Sequence, residues 1–145
     1  MPERTEGPLV LDTHVWIWML EGAQGALSAS AVETIEEAGR RGALRVSAIS
    51  VWEVAMLEAR GRISLSLPIE DWVMAALRAK GISLLPLSPE IAIAGTRLPG
   101  NPHGDPSDRM LMASARVSGG RLATCDREIL EYAGSGQLAV LDARP

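Results

Sequence analysis

Short apolar runs recur along this chain, alternate with segments of helical period, and several of them deliver the chain to an acidic residue. That alternation restricts the fold to α/β: a mostly parallel central sheet of four to five strands with helices on both faces, in three α/β/α layers. The segments LVLDTHVWIW, VSAISVWEVA, GDPSDRMLMASA and RLATCDREIL carry Asp12, Glu53, Asp108 and Asp126, each read as standing where a strand hands over to a helix. The carboxyl ends of parallel strands share one edge, where open α/β sheets place their ligands. Acids far apart in sequence are thereby expected to meet in space.

Strands are predicted over 8–11, 44–48, 82–87, 121–124 and 137–141. Thr13 is read as capping a helix that runs through Leu20, and Ser28 and Ser30 precede AVETIEEAGRR, whose acids come early and whose Arg40 and Arg41 come late, as the helix dipole favours. Ser50 with Glu53 three residues on forms a capping-box signature before VAMLEARG. Further helices are predicted for EDWVMAALRAK, for PEIAIAGTRL after Ser88, beyond Asp105, and over 126–132. The stretch PGNPHGDP at 99–106 reads as a functional loop leading to Asp105. With no internal repeat and no long linker, residues 1–145 are expected to form one domain.

At 145 residues and 47% hydrophobic, the chain can bury a substantial core. A formal net charge of -4 argues against nucleic-acid binding through a broad basic surface, while leaving room for a local patch or bound cations. Cys125 is the only cysteine, which rules out an internal disulfide and a cysteine-rich zinc site and fits a reducing, cytoplasmic setting. The start, MPERTEGPLVLD, lacks the basic opening and long apolar core of a secretion signal, and no run approaches the ~20 apolar residues of a membrane span.

Each acid taken alone has a structural explanation. Glu53 can complete the capping box with Ser50, Asp105 can cap a helix with Pro106 at its first position, and Asp126 can cap the last helix. Asp12 is different, because it ends a run of apolar residues where a carboxylate is partly desolvated and needs a partner. Taken together, like charges at ~4 Å and an effective dielectric near 20 repel by about 4 kcal/mol per pair, which calls for protonation or a cation. Oxygen ligands without an accompanying His or Cys cluster match Mg²⁺ or Mn²⁺ better than zinc, and such ions suit chemistry at phosphate oxygens.

The segments LDTHVWIWML, VSAISVWEVAMLEARGRI, DPSDRMLMASA and LATCDREI, in that order and spacing, resemble the PIN-domain ribonucleases and specifically the VapC-type toxins of bacterial toxin–antitoxin pairs. The likeness covers nearly the whole chain. It implies a PIN-like α/β/α domain, Mg²⁺- or Mn²⁺-dependent endoribonuclease activity on an RNA substrate, a homodimer, and inhibition by a cognate antitoxin. It further implies that Asp12, Glu53, Asp108 and Asp126 hold the metal, with Asp105 as an accessory acid facing the same way as Asp108 on a helical first turn. Where many relatives carry a bulky apolar residue between Pro106 and Asp108, this chain has Ser107.

Thr13 and Thr124 flank the expected site and are read either as hydrogen-bonding a carboxylate or metal-bound water, or as ordinary caps. Arg109 and Arg127 follow expected ligands and are read as solvated or ion-paired rather than phosphate-binding; His14 and His103 lack metal-ligand spacing. Trp16 and Trp18 cannot face the same way, whereas Trp52 and Met56 share a face that reads as core, or else as an apolar patch for an antitoxin helix. A haloacid-dehalogenase-type phosphatase would need Asp where His14 stands, and a receiver domain a late strand-end lysine, whereas Lys80 is the only lysine. The alternative that survives is a PIN-like docking module that binds RNA or protein without cutting.

Overall fold

A computed structural model describes residues 7–102 and 104–145. Among these, five strands and seven helices follow one another as β1 (Leu9–Leu11), α1 (Thr13–Glu21), α2 (Ala29–Arg40), β2 (Leu44–Ser47), α3 (Ala48–Ala59), α4 (Ile69–Arg78), β3 (Ile82–Leu85), α5 (Pro89–Thr96), α6 (Pro106–Ser118), β4 (Arg121–Thr124), α7 (Arg127–Ala133) and β5 (Val140–Asp142). The strands form one sheet in the order β3-β2-β1-β4-β5, parallel at every pairing.

The central strand explains the layering. Side chains alternate across a strand, and in β1 Leu9 and Leu11 join one apolar cluster while Val10 joins the other, all three buried. The first cluster includes Trp16 of α1, Ile35 of α2, Val54 of α3 and Trp72 of α4; the second includes Ile91 of α5, Leu111 and Met112 of α6 and Ile129 of α7. A parallel sheet covered on both faces in this way makes its middle strands read as unbroken apolar runs.

Two glycines fit where the chain turns. Gly119 ends α6 in the left-handed region at φ 72°, and Gly81, at φ 89°, leads into β3 so close to α2 that a Cβ would collide with the Gly39 carbonyl.

Several predicted ends shift. The second strand stops at Ser47 because the Ser47 Oγ accepts from the Ile49 N–H at 3.1 Å and starts α3 there; Ser50 and Glu53 lie inside the helix and form no capping box. The third strand ends at Leu85, before Pro86, and the last strand is Val140–Asp142 rather than 137–141. The fourth helix ends at Arg78, two residues short of Lys80. On this sheet the chain runs outward from β1 to β2 and β3, then returns to the other side of β1 with β4 and β5. The reversal lies between β1 and β4, and a crevice opens at the carboxyl ends of strands flanking such a switch point.

Candidate active site

Asp12 follows β1 directly, and its backbone N–H is bound to the Ala123 carbonyl of β4 at 2.9 Å. Its Oδ1 accepts from the Thr13 N–H at 2.7 Å, and its Oδ2 accepts from the Thr124 hydroxyl at 2.6 Å. Thr124, fully buried at the end of β4, also accepts the Asp126 N–H at 3.0 Å, while Asp126 caps α7 by accepting the Ile129 N–H at 3.0 Å. One hydroxyl therefore ties together two acids on opposite sides of the switch point. Burial pushes the Asp12 carboxyl above its ordinary range, the bonds from Thr124 and Thr13 oppose that, and the nearby charge of Glu53 adds to it.

Glu53 reaches the same place from within α3. Its Oε1 accepts from the Thr13 hydroxyl at 2.6 Å, and the Thr13 Oγ1 stands 2.8 Å from the Ser50 Oγ, with both hydroxyls buried. A hydroxyl has one proton, and Thr13 gives its proton to the carboxylate, so Ser50 is the donor to Thr13. Sequence reading missed this chain of donors by assigning Ser50 to a cap. The available signal was Ser47, which stands one residue before the helical period begins.

Asp105 caps α6 as expected, with Pro106 at the first helical position: its Oδ1 accepts from the Asp108 N–H at 2.9 Å and from the Ser107 hydroxyl at 3.0 Å. Ser107 is buried, so the small polar residue is used in the cap rather than in apolar packing. Asp108 is half-buried in the first turn, and no described residue donates to its carboxylate. Its carboxyl is pushed up to about 7, first by burial and then by the charges of Asp105, Asp12, Asp126 and Glu53. Four other acids thus act on one carboxyl. Neither Glu53 nor Asp108 stands at a strand exit: the first lies six residues beyond β2, the second in a helix entered from a loop.

Among the described residues, no three His, Cys, Asp or Glu side chains converge into a ready-made metal cage. The donor set is nonetheless all oxygen and short of positive charge. Magnesium in particular is commonly held by one or two carboxylates with water and substrate phosphate completing its shell, so an open set of acids fits it better than a closed cage would.

The neighbouring residues fall into distinct roles. The Arg109 guanidinium donates to the Gly95 carbonyl at 2.8 Å and the Pro102 carbonyl at 2.6 Å, pinning Pro102 to α5 and α6. Arg127 is exposed and stands 3.6 Å from Glu131, a surface pair. Trp16 is core, whereas Trp18 is half-buried; of the two readings of the Trp52 and Met56 face, core and apolar patch, Trp52 at 58% exposed takes the second while Met56 is partly buried, because the outer face of α3 lacks a covering helix among the described residues. Asp12, His14, Val15, Trp18, Cys125 and Asp126 line a cavity of about 310 Å³ beside the acids. The Cys125 thiol is pushed up by burial and by the charges of Asp12 and Asp142. His103 lies outside the described residues.

A fully parallel sheet with helices on both faces is the architecture of a PIN domain, and the family model for that domain matches residues 9–135. The chain belongs to the PIN domain family. Ribonuclease VapC22 of Mycobacterium tuberculosis is 36% identical over 124 residues, covering 86% of this chain and 91% of that protein, which places the likeness at the VapC type. The solved VapBC2 of Rickettsia felis, bound to a DNA fragment from its promoter, shares the fold with a TM-score of 0.66 at 12% identity, over 93% of this chain and 98% of that one. A toxin-antitoxin complex from Klebsiella pneumoniae does so with a TM-score of 0.59 at 16% identity, over 92% and 95%. No helix among the described residues is long and apolar enough to cross a membrane.

Proposed function

We propose that this chain is a divalent-metal-dependent endoribonuclease that hydrolyses RNA phosphodiester bonds, the toxin of a type II toxin–antitoxin pair. The observation that carries the reading is the joining of Asp12 and Asp126 through the Thr124 hydroxyl at the switch point, with Glu53 held beside them by Thr13 and the Asp108 carboxyl pushed up to about 7 by burial and by the charges of its acidic neighbours. Such an excess of negative charge is relieved by a cation. The 36% identity to a protein named a ribonuclease supports RNA as the substrate, and the fold shared with a toxin-antitoxin complex supports an antitoxin partner.

Asp12, Glu53, Asp108 and Asp126 are the ligands we assign to Mg²⁺ or Mn²⁺, with Asp105 holding the first turn that presents Asp108. When bound, the ion supplies Lewis acidity that lowers the pKa of water and stabilises negative charge on the scissile phosphate. The chain's own part is positional. Thr124 orients Asp12 and Asp126 together, and the Ser50 and Thr13 hydroxyls aim Glu53 inward. Arg109 fixes the loop that brings Asp105 and Asp108 to the edge of the sheet. The active form we propose is a homodimer of single domains working in the cytoplasm.

The test is cleavage of a pool of structured RNA by protein freed of any co-purified partner, with Mg²⁺, Mn²⁺ or EDTA. Discrete cuts that need metal, and that fall at least a hundredfold in Asp12→Asn and Asp108→Asn, are expected. Folded protein that binds the pool without cutting it would instead identify a docking module.

A further inference from the structure

The cavity of about 310 Å³ beside the acids shares two of its walls, Asp12 and Asp126, with the site itself. Its remaining walls are His14, Val15, Trp18 and Cys125, and no Lys or Arg is among them. Beyond Asp12 and Asp126, which we assign to the ion, the lining offers no guanidinium or ammonium to hold a further phosphate. A flat uncharged ring is better suited.

His14 and Trp18 stand four residues apart on α1 and share a face, with ring centroids 5.6 Å apart and planes inclined at 48°. The indole of Trp18 packs against the core cluster formed by α1 to α4 while also bordering the cavity, so it is an aromatic surface held in place from behind. His14 is exposed on the same rim. Trp16, two residues earlier, is the fully buried tryptophan of α1 and meets Trp72 edge-on at 4.9 Å, whereas Trp18 is only partly buried. Aromatic side chains beside a backbone-binding site are the usual platform for bases of single-stranded nucleic acid, because every base offers a π-face.

We propose that this cavity takes one unstacked nucleobase of single-stranded RNA, next to the scissile phosphate, with Trp18 as the stacking surface and the His14 ring closing the rim. The cavity stands at the lower end of the size range of small-ligand sites, which suits one base. Bases inside a duplex are stacked and paired and cannot enter. Trp18 and His14 thereby contribute to the choice of nucleotide at the cut.

This inference rests on the nuclease function proposed above, and one experiment separates the two. An oligoribonucleotide spanning a mapped cleavage site is compared with a series in which single bases are deleted to abasic positions, using wild type, Trp18→Leu, Trp18→Phe and His14→Ala. Leucine keeps apolar packing without a stacking plane, phenylalanine keeps the plane, and thermal melting confirms that each variant is folded. One abasic position beside the cut is expected to lower kcat/KM about ten- to a hundredfold in wild type. Trp18→Leu should lose a similar factor on the intact oligonucleotide and little more on that abasic one, with most activity recovered in Trp18→Phe and an intermediate loss in His14→Ala. Losses that multiply, or RNA kinetics indifferent to Trp18→Leu, would overturn the assignment while Asp12-dependent cleavage stands, the second result leaving the aromatic pair to a protein partner. Absence of Asp12-dependent cleavage in wild type would overturn the function itself and this inference with it.

Discussion

Asp12 leaves β1 with both carboxylate oxygens engaged, one by the Thr13 N–H and one by the Thr124 hydroxyl, whereas Asp108 rides the first turn of α6 with no donor from any described residue. Burial pushes both carboxyls up. At Asp12 hydrogen bonds to the charged form work against the shift; at Asp108 nothing does, and four acidic neighbours reinforce it to about 7. One acid is fixed in advance by the sheet, and the other is held close to its protonation point by its surroundings. A site built in this way has one rigid side, where β1 meets β4, and one side whose charge state responds to a cation or a proton.

The rigid side can be broken through Thr124. Thr124→Val preserves shape but removes the donor to Asp12 and leaves the Asp126 N–H without its acceptor. Because only one partner of each bond is removed, buried polar groups are left unsatisfied, and a loss of ~2 to 3 kcal/mol in urea unfolding is expected. Thr124→Ser should recover most of it. If Thr124→Val is neutral, the hydroxyl is not what holds the two acids.

The responsive side can be read from pH. The native Asp108 pKa of about 7 stands above the ordinary 3.8, so the native state holds a proton that the unfolded chain gives up. Stability contributed by that proton is complete below about 4 and is lost as pH rises through 7. In metal-free protein the melting temperature of Asp108→Asn should therefore gain on that of wild type between pH 4 and 7 and keep a constant lead above. A gap that does not change with pH would remove the charge argument from Asp108.

The same contrast shows what the sequence makes legible. Asp12 and Asp126 stand at strand ends, and the apolar runs before them, LVL and RLAT, are visible as strands because a parallel strand covered on both faces has little polar punctuation. Asp105 was readable as a cap because Pro106 follows it. Glu53 is read as standing at a strand exit, with a capping box as its local alternative, and it is neither, lying inside α3. Its spacing from Ser50 imitates a capping box, and only the approach of α1 to α3 shows that both side chains turn to Thr13 instead. Trp52 carries two readings, core and exposed patch, for a related reason: helical spacing gives the face shared with Met56 but not whether another element covers it. The partners of Arg109 lie in a loop and at the end of α5, contacts that no local pattern encodes.

Titration calorimetry of Mn²⁺ into metal-free protein, at pH 6 and pH 8 and in buffers of different ionisation heat, addresses the site most directly. Expected is binding that strengthens toward pH 8, releases a proton at pH 6 as Asp108 ionises, and is lost in both Asp12→Asn and Asp108→Asn. Undiminished Mn²⁺ affinity in either variant, or binding without proton release at pH 6, would contradict a metal centre built on these two acids.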